Sequence, residues 1–194
     1  MSRGDETLMQ ALISPPKEKI ITGLELAKMP HAERYELVAG RLHPVSPTQR
    51  KHGKVEGLIY SAIAGVVLAQ DLGEVMVGEV GVYTQRDPDT VRGADVLFVS
   101  HARLARLGDD AFLDVAPELV VEVLSPYDRW TDVREKIEEY FDAGVESVWI
   151  ADPGRRELHI FQSPVVVTVL SASDQLKNIS LLPGLDIPVA RLFD

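Results

Sequence analysis

Val55, Leu58, Ile59, Ala62, Ile63, Val66 and Val67 recur at helical spacing ahead of Gly73, which predicts one long amphipathic helix. The preceding Ser46-Pro47-Thr48-Gln49 has the form of a helix start, with Ser as N-cap, Pro at the first helical position and Gln at the third. Gly53, Gly57 and Gly65 lower the helix's intrinsic propensity, and we read them as tolerated cost rather than as points of close approach. Upstream, YELVAGRLHPVS alternates apolar and polar positions around Ala39-Gly40, the pattern of a β-hairpin over about residues 35–45. A short helix is expected near 24–28.

Downstream, EVMVGEVGVYT, ADVLFVS and ELVVEVLS read as strands near 74–84, 94–100 and 118–125, with a short helix near 101–107. The third run is apolar on both faces apart from Glu122, as befits a central strand covered on both sides. A second helix is predicted over about 131–142, with Trp130, Val133, Ile137, Tyr140 and Phe141 on one side and Gly144 as its stop. SVWIAD, ELHIFQ and VVVTVL then predict strands near 147–152, 157–162 and 165–170, the first two joined by the turn Pro153-Gly154-Arg155-Arg156. This order implies an α/β domain, a mixed central sheet flanked by helices with an N-terminal β-hairpin and the long helix on one face. Residues 1–32 are expected to form an N-terminal arm and short helix, and 33–194 a single domain closed by LLPGLDIPVARLFD.

Composition narrows the classes. The 194 residues are 45% hydrophobic and 26% charged, an ordinary balance for a globular protein. No apolar run approaches the ~20 residues of a membrane-spanning helix, and MSRGDETLMQ lacks a secretory apolar region. The absence of cysteine excludes a thiol nucleophile, a cysteine-ligated zinc and disulfides, and fits a cytoplasmic location. A net charge of −10 argues against a surface that grips phosphate backbones broadly. A cation-dependent hydrolytic site, however, needs carboxylates of its own. The local basic cluster Arg50, Lys51, His52 and Lys54 reads first as a solvated helical turn.

Two acids interrupt apolar strands: Asp95 opens Val96-Leu97-Phe98-Val99, and Glu122 splits Val120-Val121 from Val123-Leu124. A buried carboxylate must be paired, hydrogen-bonded, neutralised or cation-bound. For either acid alone a salt bridge is the plainer reading; together, on neighbouring strands, they suit one hard divalent ion. Lys136 falls at the flank of the second helix's apolar stripe, where it either reaches toward the sheet end or pairs with Asp132 or Tyr140 one turn away. His52 and Glu56 share a helical face, and Glu36 lies on the hairpin; these are candidates for an outer shell, with surface capping as the plainer role for His52. A Walker loop, G-x-G-x-x-G, H-E-x-x-H and G-x-S-x-G are all absent, and His31, His43, His101 and His159 are dispersed.

The series YELVAGRL, His52-Gly53, ADVLFVS, PELVVEVLSP and DVREKIEEYFDAGVESVWIADP resembles the Uma-type putative restriction endonuclease family, a branch of the PD-(D/E)XK nucleases, over roughly residues 33–162. The resemblance implies a metal-dependent endonuclease acting on DNA phosphodiester bonds with Mg2+ or Mn2+, Asp95 and Glu122 as metal ligands and Lys136 completing the catalytic set. Glu36 and His52 would be outer members. Ala94 stands where the motif has Pro, and Leu124 where its lysine usually falls, so the lysine role passes to Lys136. The same resemblance allows a catalytically inactive nuclease-fold binding or regulatory module, and a homodimer, since cutting both strands takes two sites.

Overall fold

The structure is a computed structural model that describes residues 19–194; the arm with Pro15-Pro16 lies outside the described residues. Helix α1 (Gly23–Ala27) is closed by a capping box in which the Thr22 side chain accepts from the Glu25 amide and the Glu25 carboxylate accepts from the Thr22 amide. Strands β1 (Tyr35–Val38) and β2 (Arg41–Pro44) form the expected hairpin. Its turn holds Ala39 at φ 48° and Gly40 at φ 75°, the left-handed pair that matches strand twist in a two-residue turn.

The long helix, α2 (Arg50–Ala69), begins three residues later than the Ser-Pro pattern suggests, and its N-cap Gln49 makes no side-chain cap. The hairpin's pairing continues to Val45, whose amide donates to the Arg34 carbonyl at 2.8 Å, so residues 46–49 serve as the link between sheet and helix. An added Cβ at Gly57 or Gly65 meets nothing within 4 Å, which agrees with the reading of these glycines as tolerated cost.

Strands β3 (Gly73–Gln85) and β4 (Thr90–Ser100) form a long antiparallel pair, followed by the short α3 (His101–Leu104). Strand β5 (Leu119–Val123), helix α4 (Trp130–Ala143) and strand β6 (Ser147–Asp152) make the one parallel crossover, with β5 beside β6. Strands β7 (Glu157–Ser163) and β8 (Val166–Ser171) extend the sheet antiparallel. The sheet order is β2-β1-β4-β5-β6-β7-β8, with β3 also on β4. It is the mixed, helix-flanked sheet expected, mostly antiparallel.

The two long helices take opposite faces. Val55, Ile59, Ile63 and Val67 of α2 pack with Val96, Phe98, Val121 and Trp149. Val133, Ile137 and Tyr140 of α4 pack with Leu97, Val120, Val148 and Ile150. Strand β5 is covered on both sides, as its apolar run requires. The C-terminal segment, including a β9 (Gln175–Lys177) and β10 (Asp186–Pro188) ribbon, places Leu182, Val189 and Leu192 on the α2 layer. None of the described helices is long and apolar enough to cross a membrane.

Candidate metal centre

Asp95 lies on β4 next to Val96, which pairs with Val121 of β5. Glu122 therefore follows directly across the strands. On the other side of β4 the register slips: Val77 faces Val96 but Val80 faces Ala94, leaving Gly78 and Glu79 opposite Asp95 alone. That β-bulge holds Gly78 at φ 94° and Glu79 at φ 57°, and bulges of this kind re-aim a side chain. Gly78 donates its amide to the Glu56 carboxylate of α2, while the Glu79 carboxyl hydrogen-bonds Asp95. A Cβ at Gly93 would stand 2.8 Å from Glu79 Oε2, so glycine there leaves the space this carboxyl uses.

Asp95 is 3% exposed. Its Oδ2 accepts the Val123 amide at 2.6 Å and lies 3.1 Å from His52 Nε2. His52 Nδ1 is buried without a hydrogen-bond partner among the described residues. One ligand atom from each of His52, Glu56 and Asp95 falls within 4.8 Å of the others, a spacing that a single cation can bridge. Glu122 is not part of that group; its Oε1 accepts from Tyr140 Oη at 2.6 Å and its Oε2 from Lys136 Nζ at 3.3 Å.

Lys136 reaches the sheet end rather than pairing along its own helix with Asp132. Its Nζ lies 2.8 Å from Glu36 Oε1. Arg92 donates to Glu36 Oε2 at 2.9 Å and grips Glu139 with two bonds, at 2.6 and 2.7 Å. The six residues singled out in the sequence, Glu36, His52, Glu56, Asp95, Glu122 and Lys136, thus lie in one connected cluster. Glu79, Arg92 and Glu139 join it without having been singled out, and Tyr140, expected only as a core residue or a partner of Lys136, joins it through Glu122. The signal for Glu79 was available: a glycine inside a strand pattern marks a bulge.

The electrostatics follow from burial with too few cations. Burial pushes Asp95 up to about 9, with the negative charges of Glu122 and Glu79 adding to it. Burial and the Glu122 charge push Glu79 up to about 7. Glu122 and Glu56 are raised by burial as well. Burial would also raise Glu36, but Lys136 and Arg92 outweigh it and hold Glu36 below the usual carboxylate range. Burial disfavours the Lys136 charge, yet Glu122 and Glu36 outweigh it and keep the ammonium protonated. His52 is lowered by burial, leaving the imidazole neutral and available as a ligand.

Beside His52 opens a cleft of about 280 Å³, lined by Lys51, Ser125, Asp128 and Trp130 among others. Of the cluster's residues, His52 lines it.

No curated protein sequence matches the chain. The crystal structure described as a putative nuclease belonging to DUF820, from Anabaena variabilis ATCC 29413, superposes with a TM-score of 0.74 at 21% identity, covering 89% of this chain and 97% of that one; at this identity the likeness speaks for the fold. The model of the Uma2 family, described as "Putative restriction endonuclease", matches residues 24–190. That match spans the hairpin, both long helices and every residue of the cluster, and the chain belongs to the Uma2 family.

Proposed function

We propose that this protein is a metal-dependent endonuclease that hydrolyses DNA phosphodiester bonds, with Asp95 and Glu122 holding magnesium or manganese and Lys136 completing the catalytic set. The observation that carries the reading is the imbalance at the sheet end. The carboxyls of Asp95, Glu122, Glu79 and Glu56 gather there, the Lys136 ammonium offsets the charge of Glu122 and Glu79 alone, and burial leaves the four short of counter-charge. Carboxylate oxygens with one neutral imidazole form a donor set suited to a hard or borderline divalent ion. The partnerless, buried His52 Nδ1 leaves the imidazole an unused polar atom beside this donor set. The family description and the shared fold of the Anabaena protein point to the same class.

When bound, the cation supplies Lewis-acid stabilisation of the phosphoryl group and a more acidic water. The protein's own groups do the rest. Water attacks phosphorus and gives up a proton to solvent, a P–O bond forms as the bond to the leaving oxygen breaks, the departing oxygen takes up a proton from solvent, and negative charge grows meanwhile on the phosphoryl oxygens. In this reading the Lys136 ammonium, kept charged by Glu122 and Glu36, stabilises that charge. Tyr140 orients Glu122, and His52 and the Val123 amide orient Asp95. Arg92 holds Glu36, and Glu36 in turn holds Lys136. Lys51 and the half-exposed Trp130 in the adjoining cleft offer a cation and a ring face to the nucleic-acid strand.

The test is cleavage of supercoiled plasmid and of single-stranded DNA with added Mg2+ or Mn2+. Cleavage that stops with chelator and returns with metal is the expected result. The net charge of −10 favours a second reading, a nuclease-fold module that binds or regulates without cutting; absence of cleavage under every metal tried would select it.

A further inference from the structure

We propose that Glu79 is a further ligand of the divalent cation, brought to the site by the β-bulge of β3 rather than by any strand position. This inference rests on the reading of the cluster as a metal site. Within a regular antiparallel ladder, one residue of β3 would face Asp95. The slip between Val77 and Val80 puts two there, and the second carries a carboxylate.

Three independent features build this placement. Glu79 sits at φ 57°, a left-handed conformation that a long side chain adopts at an energetic cost, so other contacts must hold it. The preceding Gly78, at φ 94°, supplies the backbone freedom for the bulge, and its amide is tied to Glu56 across on α2. Gly93 on the neighbouring strand lacks the Cβ that would lie 2.8 Å from Glu79 Oε2. The resulting carboxyl hydrogen-bonds Asp95, and the Glu122 charge opposes its ionisation more than the Lys136 charge favours it. No cationic side chain hydrogen-bonds or ion-pairs with Glu79 among the described residues. A carboxyl held against Asp95 at the cost of strain, beside the His52, Glu56 and Asp95 group that a single cation can bridge, is accounted for by a cation that it shares with Asp95.

The test measures Mn2+ binding to DNA-free protein above neutral pH, read from loss of the free-ion electron paramagnetic resonance signal, for wild type, Glu79→Gln, Glu79→Asp and Glu74→Gln. Glu74 lies on the same strand at the far end, opposite Val99, and controls for loss of a negative charge on β3. We expect Glu79→Gln and Glu79→Asp each to weaken Mn2+ binding by about tenfold or more, the scale on which residues of a metal's surroundings act, with Glu74→Gln close to wild type. Binding within about threefold of wild type in Glu79→Gln, in Glu79→Asp, or an equal loss in Glu74→Gln, overturns the ligand role. Wild type that binds no Mn2+ removes the metal site itself and this inference with it; wild type that binds while Glu79→Gln is unchanged removes the inference alone.

Discussion

Asp95 costs the protein stability whenever it is ionised without a cation beside it. Its pKa rises on folding from 3.8 to about 9, so across that interval the folded state binds more protons than the unfolded one. Stability of the cation-free protein therefore falls as pH rises through this window, the reverse of the usual salt-bridged carboxylate. Asparagine at 95 keeps an oxygen for the Val123 amide and removes the charge. Urea unfolding of Asp95→Asn without metal should show a protein about 1–3 kcal/mol more stable than wild type above neutral pH, with the gap closing toward acid. A less stable variant at every pH would contradict the account of Asp95 as an uncompensated charge. Asp95 and Glu122 were legible in the sequence because an acid inside an apolar strand is expensive. Arg92 and Glu139 were not, since an arginine near a strand start and a glutamate on a helix are commonplace until the fold joins them.

At the scale of elements, most strands and both long helices were readable from periodicity, and the failures have local causes. The start of α2 was misjudged because the Ser46-Pro47 pattern describes what a helix can begin with, whereas the hairpin's pairing to Val45 decides where it does. The bulge in β3 was written in the change of parity, with Val75 and Val77 giving way to Val80 and Val82 around Gly78-Glu79, but the run as a whole reads as one unbroken strand. The stop of α4 was read correctly. Gly144 caps the helix at φ 102°, and its amide donates to the Phe141 carbonyl. A Cβ there would meet only the Ala116 methyl, at 3.7 Å, so Gly144→Ala tests the backbone conformation alone. It should cost about 1 kcal/mol in chemical denaturation while leaving cleavage intact. A neutral or stabilising effect would mean that the left-handed cap is not what ends the helix.

Across the whole molecule, a chain of net charge −10 meets a polyanion, and general attraction cannot supply the affinity. In the proposed reading, binding runs instead through the sheet-end cluster and the divalent ion that its carboxyls would hold. Fluorescence anisotropy of a labelled DNA should therefore show binding strengthened about tenfold or more by Ca2+ or Mg2+, an enhancement lost in Asp95→Ala. Equal affinity with and without divalent ions would place the contact elsewhere on the surface. The fold was legible because alternation and helical spacing are whole-chain signals. The site was legible only in part, because its second half depends on β1, β3 and α4 converging on β4 and β5, and no local pattern records that convergence.

The central claim is that this cluster cuts DNA with a divalent ion, and the most direct measurement is Mg2+- or Mn2+-dependent cleavage by wild type, Asp95→Ala and Lys136→Ala, purified alike and confirmed folded by circular dichroism. The account predicts cleavage by wild type and its loss in both variants. Equal cleavage by all three, or none by wild type under any metal, would contradict it.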